Sequence, residues 1–468
     1  MIKREQEEGR PGENDGKSLA DMFFRLAFFM SAALLIFVLG AILTAADTFP
    51  GPQIARAYEG GKAFYAKVVA NRQIYSSDLW QPERRAEKGV ITNLPARVQN
   101  GVTLYTSGHE AAAFLIGMDG QVLHEWRRPF STVWHEGAPI KQPQPDVRVY
   151  FKEARVYPNG DLVAVYEGNG DTPYGYGVVK LDRDSNLIWS YFGRAHHDLD
   201  IGPDGRIYTL TNEIAKQPLQ GFENIKSPRL DDFLVVLSPD GAQLKKLSLI
   251  RLVEKSRYRQ LLKTVSWFAV QDPLHTNNVD YITEDMAAKL PFARPGQILV
   301  SFRELDAIGI VDPDTEELVW ATRGPWIGQH DPDILPNGHM LLFDNYGNFD
   351  SPKGGSRVIE FDPRTMKIAW QYGGTADRPL DSSIRSSQQR LPNGNTFINE
   401  SNGGRLLEVT PEGEVAWEFV NPVRSPPVNG QTLTPVIASA HRLDPKDLDP
   451  SLLQPKPQSD MQAKEPRS

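Results

Sequence analysis

The stretch HDPDILPNGHMLLFDN, residues 330–345, joins a His-Asp pair to a Pro-Asn-Gly turn, with a short apolar strand behind it. The Asn-Gly pair is hairpin chemistry, since Gly reaches positive φ without steric cost. The same half-unit recurs as YPNGDLVAVYEG (157–168), GPDGRIYTLTN (202–212) and LPNGNTFINES (391–401). Its partner half-unit is a strand, an Asp-centred turn and a second strand often closed by Trp. It reads VVKLDRDSNLIW (178–189), VVLSPDGAQLKKL (235–247), IGIVDPDTEELVW (309–320), VIEFDPRTMKIAW (358–370) and LLEVTPEGEVAW (406–417). These runs are β-branched and aromatic at strand length.

Five consecutive units can be drawn: 152–194, 197–249, 275–322, 330–373 and 386–420. A sixth needs both ends of the chain, with three strands from 103–126 and a fourth from VIASAHRL (436–443). Repeats of about 40–50 residues with four strands each are the mark of a β-propeller. The spacing therefore predicts an all-β chain, a six-bladed β-propeller over 101–443 closed by its two ends. The insertion 213–232 and the helix-like 250–270 should decorate one face. Trp126, Trp189, Trp320, Trp370 and Trp417 fall in one regular slot and read as core.

Composition narrows the function. The chain has 468 residues, with 38 Gly and 36 Pro, a net charge of −8 and no basic block, which argues against nucleic acid as a partner. With no cysteine there is no disulfide, no thiolate metal site and no catalytic thiol. Residues 26–46 (LAFFMSAALLIFVLGAILTAA) carry no charge and are long enough to span a bilayer. They read as a transmembrane anchor over 22–46, with cleavage near the small residues 44–46 as the minority reading. Lys3, Arg4, Arg10, Lys17 and Arg25 precede it, which places the N-terminus in the cytoplasm and the propeller on the periplasmic side of the inner membrane. Residues 1–21 read as a disordered cytoplasmic segment, 47–100 as a helical linker, and 444–468 as a disordered tail.

Counting back six from each turn proline gives Lys152, His197, His330 and Ser386. The remaining unit opens with DPLHTNNVDYI and sets His275 in a similar place. Each slot starts a unit's innermost strand, beside the central channel. One such His usually caps backbone or fills space, but three in successive units favour a joint role. Three histidines can hold zinc, yet strand alternation turns Asp198 and Asp331 away from their histidines, so metal is the secondary reading and no cofactor is expected. Arg303 ends the strand ILVSFRE, either in a salt bridge with Glu304 or Asp306 or as a guanidinium fork facing an oxyanion.

HHDLDIGPDGRIYTL, DPLHTNNVDYI with ILVSFRE, and GQHDPDILPNGHMLLFDN resemble, in that order, the bacterial arylsulfotransferase family over roughly residues 100–443. The resemblance implies a six-bladed propeller that moves a sulfuryl group from a phenolic sulfate ester to another phenol or hydroxyl. It implies that no adenosine phosphosulfate donor is used. It implies His330 as nucleophile, Arg303 and His275 gripping the sulfuryl oxygens, and His197 assisting proton transfer, with His196 as the competing choice. A non-catalytic membrane-tethered propeller scaffold and a quinoprotein-like dehydrogenase are the alternatives.

Overall fold

The computed structural model describes residues 15–46, 48, 49, 51, 53, 74–351 and 355–454. They fall into two units, divided between Arg72 and Gln73. In the first, the helix Asp15–Ala45 contains a span, Ala20–Leu43, long and apolar enough to cross a membrane. Its large apolar side chains are uncovered. Of the segment 1–21 expected to be disordered, residues 15–21 instead open this helix and 1–14 lie outside the described residues, as does most of the expected linker before residue 74.

The second unit is a six-bladed propeller of antiparallel sheets. From the channel outward, blade 1 runs Ile437–Leu443, Val102–Ser107, Ala112–Ile116 and Val122–Arg127. The last strand of the ring thus completes the first sheet, as the sequence predicts. Blades 2 to 6 have the inner strands Val149–Val156, Ala195–Ile201, Thr276–Tyr281, His330–Ile334 and Ser387–Arg390. Buried aliphatic and aromatic side chains fill the space between neighbouring sheets. The insertion after blade 3 forms a short helix, Leu249–Lys255, and a 3-10 turn, Arg259–Thr264.

Three expectations change. The linker expected over 47–100 is, from residue 74 onward, part of the propeller unit. Trp80–Pro82 pairs with Leu433–Pro435, and Gly89–Asn93 adds a fifth strand outside Val415–Val420 of blade 6. Covering that edge satisfies backbone groups that would otherwise template aggregation. The tail expected from 444 holds two 3-10 turns, Pro445–Asp447 and Pro450–Leu453. Each is capped by a preceding Asp side chain, and Leu448 and Leu452 sink into the core between blades 1 and 2. Of the tryptophans, only Trp126 and Trp417 are fully buried. Trp126, Trp189, Trp370 and Trp417 each donate an indole N–H to a turn carbonyl of the next blade: Gly160, Pro239, Pro411 and Met118, at 2.9–3.1 Å. The regular slot exists because it bolts blade to blade.

Ending the chain after Gly430 removes the inner strand of blade 1 and should leave an unfolded or aggregating product. Leu452→Ala should be milder, costing about 2–4 kcal/mol of stability in a urea melt. An unchanged midpoint for Leu452→Ala would show that residues 444–454 do not support the core.

Candidate active site

The inner strands do not run cleanly into the channel. Pairing slips between Phe151 and Glu153, His196 and Leu199, Thr276 and Asn278, and His330 and Asp333. A bulge places an extra residue on one strand and re-aims its side chain. His197, His275, Asp331 and Ser386 take φ of 57°, 44°, 53° and 77°, left-handed values that cost non-glycine residues energy. Such geometry repeated around one ring brings the strand starts to a common cavity. Its volume is about 270 Å³, and His197, His275, Arg303 and His330 all line it. The four residues singled out in the sequence are therefore brought together from blades 3, 4 and 5.

His330 is held from behind. Its Nδ1 lies 2.8 Å from Asn345 Oδ1 and 3.1 Å from the Gly328 carbonyl, both acceptors, so Nδ1 carries the hydrogen and Nε2 the lone pair. Asn345 is fixed in turn by donating to the Ser382 and Arg385 carbonyls, which orients its oxygen toward the ring. The Gln-His pair has a mechanical meaning. Gln329 reaches into blade 4, donating to Ser301 Oγ at 3.0 Å and to the Ala307 carbonyl at 3.0 Å, while Asn277 donates to the Gln329 backbone carbonyl at 2.9 Å. The neighbouring Asp344 accepts from the N–H groups of Ile327 and Gly347 and from Arg357 Nε. Burial, then the Arg303 charge, hold the His330 imidazole well below its ordinary pKa, so the ring is neutral at pH 7.

His275 goes the other way. Burial opposes its charge, but Asp272 Oδ2 at 2.6 Å from Nδ1 outweighs that and raises its pKa. Arg303 begins the 3-10 turn after Ile298–Phe302 and lines the cavity while its Nη1 pairs with Glu304. The salt-bridge reading of this residue holds, with Glu304 as partner, while Asp306 pairs with Arg323 instead.

His197 and His196 divide their duties. His197 lines the cavity, and His196, fully buried, stands behind it with the two Nδ1 atoms 2.8 Å apart. Burial and the neighbouring His275 and His196 depress the pKa of His197 well below the usual histidine value. Its backbone N–H donates to Glu167 Oε1 at 2.8 Å, and Tyr150 donates to Glu167 Oε2 at 2.7 Å. Glu167, His196 and His197 present ligand atoms within 4.8 Å of one another, the one grouping among the described residues that could hold a metal. Those atoms already bond to one another or to nearby donors, which favours the hydrogen-bonded reading.

Further cavity residues escaped the sequence reading. Arg385 and Asp78 form an ion pair at 2.6 Å across 307 positions of sequence. Nothing local in the sequence links them. Tyr174 sets its ring edge against His196 and His197, at 5.4 Å between centroids in each case. Asn345 could have been found, as the last residue of the Phe-Asp-Asn run.

Several solved structures align with this chain at low identity. A protein of unknown function from Bacteroides caccae is 12% identical, with 74% of this chain and 99% of that one aligned and a TM-score of 0.45. A streptogramin B lyase is also 12% identical, over 74% of this chain and 87% of its own, at a TM-score of 0.39. These likenesses are too distant to carry an argument. Among curated proteins none matches the sequence. The family model described as "Arylsulfotransferase (ASST)" matches residues 153–422, from the inner strand of blade 2 to the end of blade 6 and more than half of the chain. With the histidines and the arginine of the resembling motifs facing one cavity, the chain belongs to the arylsulfotransferase family.

Proposed function

We propose that this protein transfers a sulfuryl group from an aryl sulfate to an acceptor phenol or hydroxyl in two steps, through a sulfo-histidine on His330. The observation that carries the reading is the His330 ring itself: neutral, with Nδ1 committed to Asn345 and Gly328, and with Arg303 and His275 lining the same cavity. In the first step Nε2 forms a bond to sulfur as the bond from sulfur to the phenolic oxygen breaks. The electron pair of that bond leaves on the phenolate. In the second step the acceptor oxygen bonds to sulfur, the N–S bond returns its pair to Nε2, and the acceptor proton passes to His197 and on to solvent. Arg303 and protonated His275 face the sulfuryl oxygens, whose negative charge persists throughout; loss of one such donor typically costs about 10²–10³ in kcat. His196 acts by orienting His197. The apolar N-terminal helix serves as an uncleaved anchor, with the propeller on the periplasmic face.

Incubation with 4-nitrophenyl sulfate and phenol should release 4-nitrophenol, and without acceptor the intact mass should rise by one sulfuryl group. His330→Asn should lose both signals with its melting temperature nearly unchanged. Arg303→Lys keeps charge but loses the planar fork, so kcat should fall by about 10² or more. A His330→Asn protein that still makes product at a comparable rate removes this histidine as nucleophile.

The pH profile follows from the two imidazoles. His330 must be neutral, and its lowered pKa keeps it so well below pH 6.5; kcat/KM should therefore stay flat into the acid range. His275 must be charged, and its raised pKa extends that form upward; activity should fall on the alkaline side as it loses its proton. Ring nitrogen shifts in ¹⁵N spectra should report the Nδ1–H tautomer of His330 at pH 6. A protonated His330 at that pH would lack the Nε2 lone pair that the attack requires.

Topology has its own test. Alkaline phosphatase fused after Ser468 should be active and a cytosolic reporter at the same point silent; the reverse pattern would put the propeller in the cytoplasm.

A further inference from the structure

Lys152 occupies the repeat slot shared by His197, His330 and Ser386, at the bulge between Phe151 and Glu153. It lines the same cavity and is only 8% exposed. The other cavity cations have contact partners: Arg303 has Glu304, His275 has Asp272 and Arg385 has Asp78. Lys152 makes no hydrogen bond or close ion pair among the described residues, and its neighbour Glu153 is taken by Arg155 and His441. Glu153 and Asp198 feel its charge without touching it, so an ammonium that lines the cavity lacks a hydrogen-bonded anion there.

Position indicates which anion it would meet. In a ring of six, blade 2 lies opposite blade 5, so Lys152 enters the cavity across from His330. In-line displacement, as at phosphorus, sets the leaving oxygen opposite the attacking atom. His197 is a poor source of a proton for that oxygen, because burial and its cationic neighbours keep it neutral. We infer that Lys152 is a further catalytic residue, whose ammonium binds the phenolic oxygen and stabilises the phenolate that leaves in the first step and attacks in the second. The inference rests on the aryl-sulfate reading and adds to it the group that meets the phenolate. No proton need change hands at Lys152, so the two-step balance is unaltered: the phenolate departs charged and is protonated by water.

Two measurements on the full chain test it. First, kcat/KM is compared for 4-nitrophenyl sulfate and unsubstituted phenyl sulfate, whose phenolate is the more basic and needs more stabilisation. Lys152→Met should lose about tenfold more with phenyl sulfate than with the nitrophenyl ester, and Lys152→Arg should recover much of that selectivity. An equal loss on both donors would make Lys152 a general or structural contributor and overturn the assignment. Second, binding of 4-nitrophenol is followed by its colour and does not require turnover. The wild type should bind it as the yellow phenolate, lowering its apparent pKa, and Lys152→Met should not. Identical ionisation in the two proteins would sink the phenolate site even if turnover proceeds. Wild-type protein that shifts 4-nitrophenol but turns over no aryl sulfate would retain the site and discard the reaction. Lys152→Met should melt close to wild type, since the ammonium makes no hydrogen bond or close ion pair and the apolar stem is kept. A much lower melting temperature would mean that Lys152 holds the blades together.

Discussion

The propeller depends on side chains of one blade satisfying the backbone of the next where the inner strands begin. The bulges at these starts break the ladder, and the freed N–H groups would be buried without partners. Glu167 of blade 2 accepts from His197 N–H of blade 3 at 2.8 Å, and Asp232 of blade 3 accepts from Thr276 N–H of blade 4 at 2.7 Å. Asp331 of blade 5 accepts from Gln388 N–H of blade 6 at 2.9 Å. Gln389 of blade 6 closes the ring by accepting from Arg442 N–H and donating to its carbonyl. Losing one latch leaves a buried donor unpaired, at about 1–3 kcal/mol, and loosens a cavity wall as well. Ring closure and site assembly are therefore one constraint.

This coupling explains what the sequence could and could not reveal. The Pro-Asn-Gly turns and Asp-centred hairpins are local, so blade number, ring closure and the slots of His197, His330 and Lys152 could be counted directly. That His275 and Arg303 face the same cavity followed from blade geometry once the count was made. Choosing between His196 and His197 needed the bulge, because a regular strand would turn one of them away and here both side chains are used. Asp78 with Arg385 and the belt over 80–93 arise from contacts hundreds of residues apart, with no periodicity to announce them. Leu448 and Leu452 were hidden by their setting, since two apolar residues in a Pro- and Asp-rich run read as solvent-exposed.

The same inner strands carry opposite electrostatic characters along their length. Near their cavity ends lie Lys152 and His275, with Arg303 at the end of the adjoining strand of blade 4. Further along come Asp198, Asp200, Asp280, Asp331 and Asp333, with Arg155 among them. Burial and mutual repulsion raise Asp198 and Asp331 to about 7, and push Asp280 and Asp333 upward as well. Asp198 and Asp331 serve as latches, so they cannot simply be replaced by apolar residues without freeing a backbone donor. Their raised values limit the negative charge the channel holds at neutral pH.

That division bears on how an anionic substrate is held without becoming trapped. In the proposed reaction a sulfate ester would gain from Arg303 and His275 at once, while the raised pKa values of Asp198 and Asp331 keep the inner channel from carrying its full negative charge. The cations are themselves restrained by Glu304 and Asp272, which hold their geometry and moderate their pull. A site of fully unpaired cations would bind the ground state and the transition state alike, and uniform binding lowers KM without raising kcat. In the proposed reaction, pairing Arg303 and His275 each with a carboxylate would limit that ground-state grip. Lys152, with no close ion pair among the described residues, stands across the ring from His330, where in the proposed reaction charge would build up only as the bond to sulfur breaks.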